Sequence, residues 1–575
     1  MIRANEEVEA LLVEYADLLS ITSSDPHKPR AYEKAARAIG CYHADIAGMD
    51  EKQLKAIPNV GSSIAQKVQE QLQTGTIRSL EELRAEIPPG VRELTAIPGL
   101  GPKTAVMLFR ERGISSVEEL TIALEDGSLD GLKGFGDKTT ENVRRGIQTL
   151  SSAGDRVKIG AALAVAEELL AELRDVPGVE RCDYAGSLRR MVETIGDVDL
   201  LVANADSAPV METFAGSSAV ERVIARGETK TSIRTKTGIQ VDLRVIAPAV
   251  WGAALQYFTG SKAHNVRIRE IAVRKGLKLS EYGVFDAETG DLIAAESEEA
   301  VYAALDLPFI PPTLREDRGE VQAAQKGELP DVVELSDIRG DLHTHTDLTD
   351  GLAPLEQMVE TAKALGYAYY AVTDHAPNLY MQRMSDEKML EQRARLRKLD
   401  AGKMTLLHGT ELNIDPDGGV DWPREFLDGF DVCVASVHSH FNQTREELTR
   451  RVIRAMEHPN VNIIGHPTGR KIGHRLPLDL DLDAVFEAAA RTGTALEVNA
   501  FPDRLDLRDE HVSWARRHGV KFAVDTDSHA PGHLSLMRFG VGTAQRGWAE
   551  ADEVINTWPL GKLRKFLAKS SVRGR

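Results

Sequence analysis

Cysteine is nearly missing from this chain: Cys41, Cys182 and Cys433 are all it has in 575 residues. Three thiols at such wide spacing exclude a disulfide framework and a zinc ribbon. They suit a reducing compartment, so a cytoplasmic protein is expected. No uninterrupted apolar run approaches the length that spans a bilayer, and no membrane partner is expected. The stretch from Met1 to Ser20 reads as an acidic amphipathic helix rather than a signal sequence. Net positive charge is lacking too: 70 Lys and Arg stand against 88 Asp and Glu, a formal charge of -18. Taken whole, that argues against a strong grip on a polyanion. The charge is uneven, however. Glu221 to Glu281 holds twelve Lys and Arg against five acidic residues, a local excess able to neutralise phosphates. The length predicts several domains, each with its own core.

What is present starts with three aspartates. Gly186-Ser187-Leu188-Arg189-Arg190 leads into Gly196-Asp197-Val198-Asp199-Leu200-Leu201, and Gln240-Val241-Asp242-Leu243-Arg244 follows. Strand alternation puts Asp197 and Asp199 on one face and Val198, Leu200 and Val202 on the other. Asp242 likewise stands opposite Ile239, Val241, Leu243 and Val245. An Asp-x-Asp pair alone is weak, since most are solvated strand ends. The Gly-Ser turn upstream, the paired arginines and the later aspartate strengthen it. Three carboxylates on the wet face of a sheet suit two hard divalent cations, which can clamp the attacking and leaving oxygens of a phosphoryl transfer.

Residues 1 to about 150 read as all-helical, with a recurring unit: Ile57-Pro58-Asn59-Val60-Gly61, Ile97-Pro98-Gly99-Leu100-Gly101 and the degenerate Leu132-Lys133-Gly134-Phe135-Gly136. Each precedes a helix start and resembles a helix-hairpin-helix, whose glycines let amide N–H groups hold a DNA phosphate without much positive charge. The plainer reading is a set of helical turns without a ligand. Pro311 to Pro330 is polar and proline-bounded and reads as an interdomain connection. Beyond Asp337 short apolar strands alternate with helices, ending near Leu342, Val372, Leu406, Val437, Ile464, Val498 and Val524. That pattern predicts a parallel barrel or a doubly wound sheet.

Thirteen of the sixteen histidines lie after residue 338, many just past those strands. His343, His345, Asp350, His375, Glu411, His438, His466, Asp527 and His529 fall in register with at least six strand ends. In a barrel the loops after the strands converge, and imidazoles with carboxylates there suit borderline cations. Among the remaining histidines, His408, His440, His474 and His533 read as supporting or surface groups, and Arg470 is a candidate phosphate clamp.

The aspartates and their Gly-Ser turn resemble the nucleotidyltransferase site of family X DNA polymerases, the group containing polymerase beta. The histidine pattern is similar to the PHP (polymerase and histidinol phosphatase) family, a seven-stranded barrel with a trinuclear site in which Glu411 matches the bridging carboxylate. Taken in order, the motifs resemble the bacterial family X DNA polymerases over essentially the whole chain. The resemblance implies a multidomain fold: a helical helix-hairpin-helix domain (1–80), helical fingers with a second such motif (81–150), an α+β palm (151–245), a thumb (246–315), a linker (316–338) and a C-terminal (β/α)7 PHP barrel (339–575).

It also implies roles. Asp197, Asp199 and Asp242 would hold two Mg2+ or Mn2+ ions for polymerisation. Ser187, Arg190, Gly196 and Arg156 would bind the triphosphate. Tyr257-Phe258-Thr259-Gly260-Ser261 matches a steric gate that favours deoxynucleotides, while Asn265 and Arg269 would reach the nascent pair and the template. Gly61, Gly99, Gly101 and Lys67 would touch DNA. The barrel would hold up to three Mn2+, Zn2+ or Fe ions and act as a 3′→5′ exonuclease, with cleavage at abasic sites or removal of 3′-phosphates as further possibilities.

The implied protein is a gap-filling repair polymerase acting on gapped or primed DNA with dNTPs, expected to be a monomer. The alternative is a DNA-end-processing nuclease whose polymerase half is a DNA-binding platform. Met191-Val192 favours that alternative, because the family generally has glycine after the paired arginines. Lys67 lies where related polymerases form a Schiff base with deoxyribose phosphate. Phosphate binding is the simpler role, since imine chemistry needs a neutral amine.

Overall fold

The computed structural model describes residues 4–22, 25, 27–40, 42, 46–87, 89–95, 97, 100–129, 132, 135–153, 156–379 and 384–569. Cys41, Pro98, Gly99, Lys133 and Gly134 lie outside the described residues, so the DNA contact expected of Gly99 has no structural account. The N-terminal region is helical around one apolar cluster that includes Leu12, Ile39, Leu54, Val68, Leu94 and Leu108. Gly61 caps helix Ser62–Thr74 and Gly101 caps Pro102–Arg112, both with extended backbone and no side chain over the helix end. Each start therefore leaves its first amides to water or a ligand.

The palm is built on strands β1 (Val157–Lys158), β2 (Arg181–Tyr184), β3 (Thr194–Ile195), β4 (Asp197–Ala203), β5 (Val220–Arg226), β6 (Lys230–Thr235) and β7 (Gln240–Ile246). Five of them form a sheet in the order β2-β4-β7-β6-β5, and only β4 and β7 run parallel. Val198, Leu200, Val202, Val241, Leu243 and Val245 pack beneath helices Ile159–Arg174 and Ser207–Gly216. Burying side chains of this kind contributes roughly 1.5–3 kcal/mol each, which fixes the register of the aspartates on the opposite face. The thumb adds the antiparallel strands β8 (Leu277–Ser280), β9 (Gly283–Asp286) and β10 (Leu292–Ala294) with its own core.

The C-terminal barrel has seven parallel strands in sequential order: β11 (Gly340–Asp341), β12 (Tyr369–Val372), β13 (Thr405–Asn413), β14 (Val432–Ser436), β15 (Ile463–Ile464), β16 (Ala495–Asn499) and β17 (Phe522–Asp525). A bridge between Thr344 and Ser528 links the segments after the first and last strands, so the ring is nearly closed. β13 runs seven residues past its expected end at Leu406. Residues 405–408 pair with β12 and residues 409–413 with β14, so one long strand serves two neighbours. Gly409 permits this, since a Cβ there would lie 2.7 Å from the Val432 carbonyl oxygen. Among the described residues no helix is long and apolar enough to cross a membrane.

Segment 316–338 is more ordered than its polar sequence suggests. It carries helix Glu320–Lys326, and Glu320 is fully buried 2.7 Å from His264 Nδ1. The charged residues turn inward to partners: Glu316 meets Arg190 at 3.0 Å and Arg546 at 2.7 Å, and Arg318 meets Asp509 at 3.0 Å. Palm and barrel are joined directly. Leu505 and Phe539 of the barrel lie in the palm's apolar cluster, with Met191, Val192, Ile472 and Leu536 packed against it. Lys158 reaches Asp503 at 2.5 Å and Arg470 reaches Glu193 at 2.7 Å.

Met191, at φ 54°, keeps the left-handed backbone that glycine would adopt. Its side chain covers Gly542 on helix Met537–Arg546, where a Cβ would fall 2.8 Å from Met191 Cγ. Gly542→Val is therefore expected to wedge barrel from palm at a cost of about 1–3 kcal/mol. Small-angle scattering should show a larger radius of gyration and trypsin a faster cut within 316–338. An unchanged scattering profile would mean that Met191 is not a seam contact.

Two candidate metal centres

The palm centre follows from strand register. In the parallel β4–β7 pair Asp199 stands beside Asp242 and Asp197 beside Gln240, so the three carboxylates share one face of the sheet. Asp197 is exposed, Asp199 half-buried and Asp242 buried. Burial, and then the carboxylates of Asp197 and Asp242, push Asp199 up to about 7. Asp242 goes the other way despite burial: Lys230 Nζ, 2.7 Å from Oδ2, and the Ser232 hydroxyl hold it below the usual range. Gln240 Nε2 donates to Asp242 Oδ1 at 3.1 Å. Crowded carboxylates of this kind bind a divalent cation in place of a proton.

Gly186, at φ 60°, starts the short helix Gly186–Arg189 directly beneath Asp199, and any Cβ there would collide with Asp199 Oδ2. This helix carries Ser187. Arg189 Nη1 donates to Thr259 Oγ1 at 2.8 Å, and Arg190 Nη1 to the Thr259 carbonyl at 2.6 Å. The paired arginines thus tie the palm to the Thr259-Gly260 turn that ends helix Trp251–Thr259. Arg190 also faces Glu316. Arg156 Nε donates to Thr194 Oγ1 at 3.0 Å, close beside Gly196, where a Cβ would lie 3.2 Å from Arg156 Nη1.

Tyr257 and Phe258 meet edge to face at 5.1 Å, with Arg244 over Phe258 at 4.5 Å. Asn265 is buried, its amide donating to the Tyr257 carbonyl at 2.7 Å and accepting from Gln256 at 2.9 Å, and Arg269 Nε donates to the Asn265 carbonyl at 3.2 Å. Lys67 lies apart in the helical region, with Nζ 3.4 Å from Ser63 Oγ and 5.8 Å from the Tyr15 ring centre. Tyr15 in turn stacks on Tyr32 at 4.5 Å.

The barrel centre draws all nine expected side chains together. Glu411 Oε1 lies 3.1 Å from both His438 Nε2 and His466 Nε2. Its Oε2 lies 2.8 Å from His375 Nδ1, 3.5 Å from His343 Nε2 and 3.7 Å from His345 Nε2. Asp527 Oδ1 faces His345 at 3.2 Å, His529 at 3.7 Å and His343 at 3.8 Å. Asp350 Oδ1 faces His375 at 3.3 Å and His529 at 3.4 Å. His345, Asp350, His375 and His529 form one group of donor atoms within 4.8 Å of one another. His343, His345 and Asp527 form a second, and His375, Glu411 and His438 a third.

These donors fit metal ions. His343 Nε2 and His345 Nε2 point at each other across 3.2 Å, and His345 Nδ1 is buried with no hydrogen-bond partner. Burial alone would raise the Glu411 carboxyl, yet the facing imidazoles of His438, His375 and His343 hold it well below the usual range. Burial and the charge of Arg504 push His466 down to about 3.

Several supporting groups escaped the sequence reading. Glu497 accepts from His343 Nδ1 at 2.6 Å and from the His466 amide at 2.5 Å. Asn413 Oδ1 accepts from His438 Nδ1 at 2.8 Å, and Asn499 Nδ2 donates to both Glu497 and Asp527. The available signal was a polar residue in an otherwise apolar strand, as in Ala495-Leu496-Glu497-Val498-Asn499. Glu411 itself lies within β13 rather than past its end.

Arg470, the candidate phosphate clamp, is engaged within the protein. Its guanidinium is buried against Glu193 and the Leu505 carbonyl, at 2.7 and 2.6 Å. Of the leftover histidines, His408 is buried against Phe430, and His533 Nδ1 accepts from the His529 amide at 3.2 Å. His440 and His474 are both exposed, His474 on the Lys471–Arg475 turn.

Comparison with known proteins matches four family models. A helix-hairpin-helix domain covers 3–77 and a SAM-like helix-hairpin-helix tandem 91–149, followed by the DNA polymerase beta thumb over 254–316 and the PHP domain over 341–500. The chain is 35% identical over 573 residues to the DNA polymerase/3′-5′ exonuclease PolX of Bacillus subtilis, covering 98% of this chain and 99% of that protein. It is 26% identical to rat DNA polymerase lambda over 51% of this chain and 53% of that one. A probable phosphatase of Thermoanaerobacter is 27% identical over 40% of this chain and 93% of its own length.

Gly186→Ala tests the palm geometry. The left-handed backbone costs a side chain about 1–2 kcal/mol, and the collision must move Asp199. A shift of that kind is expected to cut phosphoryl transfer at the palm by about a hundredfold, while metal-dependent chemistry at the barrel is unchanged. Wild-type activity at the palm would show that Gly186 does not set the position of Asp199.

Proposed function

The chain belongs to the bacterial family X DNA polymerases with a C-terminal PHP domain, and from that premise we infer how one polypeptide both extends and trims a DNA end. It is a DNA-directed DNA polymerase of the repair type, with a PHP-type 3′-5′ exonuclease or phosphoesterase. The observation that carries the first activity is the in-register pairing of Asp199 with Asp242 beside Asp197. The second rests on the convergence of five imidazoles on Glu411.

Our reading is that Asp197, Asp199 and Asp242 hold two Mg2+ or Mn2+ ions, and that the nine barrel side chains hold up to three Mn2+, Zn2+ or Fe ions. When bound, such ions supply the Lewis acidity and charge neutralisation that phosphoryl transfer and phosphodiester hydrolysis need. The protein's own groups do the rest. Lys230 keeps Asp242 ionised. Ser187, Arg190, Gly196 and Arg156 receive the triphosphate, which must compete with Glu316 for Arg190. The turn at Tyr257-Phe258-Thr259-Gly260 crowds a ribose 2′-OH, and Asn265 and Arg269 face the nascent pair and template. In the barrel, Glu497 and Asn413 accept hydrogen bonds from Nδ1–H of His343 and His438, which leaves each Nε2 lone pair aimed inward.

Gapped or primed DNA and dNTPs are the proposed substrates, in base excision repair in the cytoplasm. The protein would act as a monomer, with the helix starts at Gly61 and Gly101 and the Lys67 amine on DNA phosphates. A second reading, an end-processing nuclease with a DNA-binding polymerase half, draws support from the Arg190–Glu316 pair.

A one-nucleotide gapped duplex with dNTPs separates them. Asp197→Ala with Asp199→Ala should cut extension by on the order of a thousandfold or more, as expected when groups acting in the transition state are lost, and spare exonuclease activity. His343→Ala with His345→Ala should do the reverse. Wild type that degrades but never extends would favour the second reading. Extension that survives the aspartate changes would remove the palm assignment.

A further inference from the structure

The loop after β16 faces both halves of the molecule. Asp503 reaches palm Lys158 at 2.5 Å, and Leu505 enters the palm's apolar cluster. Between them, Arg504 turns to the barrel centre, with Nε 3.6 Å from Asp527 Oδ2. Its side chain is 17% exposed, and its Nη1 is buried with no hydrogen-bond partner. Asp527 is already engaged: Oδ1 faces three histidines, and Oδ2 accepts from Asn499 at 3.2 Å.

A second cation adds to the imbalance. Arg475, within electrostatic reach of Arg504, donates to the Gly469 carbonyl at 2.6 Å and lies over Phe441 at 4.6 Å. The nearby Asp506 is taken up by the amide and hydroxyl of Thr468. A guanidinium this close to a cluster of cations weakens their binding, because like charges repel strongly where water is scarce. The cost disappears when an anion lies between them. A phosphodiester is such an anion, and it is the group that arginine binds best.

We propose that Arg504 binds a nonbridging phosphate oxygen of the nucleotide being removed at the barrel centre. The proposal rests on the exonuclease reading above and adds a substrate contact to it. Because Asp503 and Leu505 are docked on the palm, this contact is aimed by the polymerase half.

The test uses the full chain with Mn2+, comparing wild type with Arg504→Ala and Arg504→Lys. Exonuclease kcat/KM should fall by about tenfold to a hundredfold in Arg504→Ala, the range for losing one charged hydrogen bond, and by less in Arg504→Lys. The inhibition constant of dAMP should rise by a similar factor. That of deoxyadenosine, which has no phosphate, should stay put. Mn2+ bound per chain, counted by electron paramagnetic resonance, should be retained, and extension on gapped DNA should be unchanged.

Wild-type sensitivity to dAMP in Arg504→Ala would overturn the proposal, and so would loss of bound Mn2+ in step with activity, since Arg504 would then only orient Asp527. Exonuclease activity that is missing from wild type, or that survives His343→Ala with His345→Ala, would overturn the barrel's assignment itself.

Discussion

Carboxylates crowded together are the constraint around which both halves of this chain are built. Each buried carboxylate must be matched by donors, protonated or bound to cations, because an unmatched one is too costly to keep. In the palm a lysine and a glutamine restrain Asp242, and Asp199 is left with a raised proton affinity. In the barrel the answer is layered. Glu411, Asp350 and Asp527 face imidazoles, and Glu497 ties two of those histidines in place. Beneath them, burial pushes the Asp341 and Asp525 carboxyls upward, with the charge of Asp525 adding to the first and that of Glu497 to the second, and Thr526 and Asn556 supply hydrogen bonds. Negative charge is thus concentrated where the inward imidazole lone pairs converge and relieved on the floor below.

The seam between palm and barrel follows a different logic. Its centre is apolar, with Met191, Leu505 and Phe539 at the palm cluster. Its rim is ionic: Arg546 donates to the Arg190 carbonyl at 2.8 Å and pairs with Glu316 and Asp509. The short helix that carries Ser187 and ends at Arg190 is therefore braced by the barrel. Met191 in place of glycine is the residue that lets it be braced, since its backbone keeps the turn while its side chain supplies the contact.

Much of this was legible in the sequence, for a physical reason. Strand alternation has period two, so Asp197, Asp199 and Asp242 could be placed on one face without knowing the sheet order. Parallel strands put the following residues at one end of a barrel, so the nine barrel side chains could be grouped by their distance past each apolar run. What stayed hidden depended on pairs far apart in the chain. Nothing local in Arg470 says that it meets Glu193, 277 positions away, nor that Arg504 turns toward Asp527. The strand expected to end near Leu406 runs on to Asn413, because Gly409 admits a neighbouring backbone that only the folded sheet brings to it. Segment 316–338 looked like a tether because charged residues usually face water, and here they find buried partners.

Leu505 and Phe539 have one more implication. They are encoded within the barrel but are interior residues of the palm. Severing the polypeptide between the two halves would bare a greasy socket on one fragment and its plug on the other. Each piece would then be prone to clump, so the barrel completes the interior of the palm as well as its own.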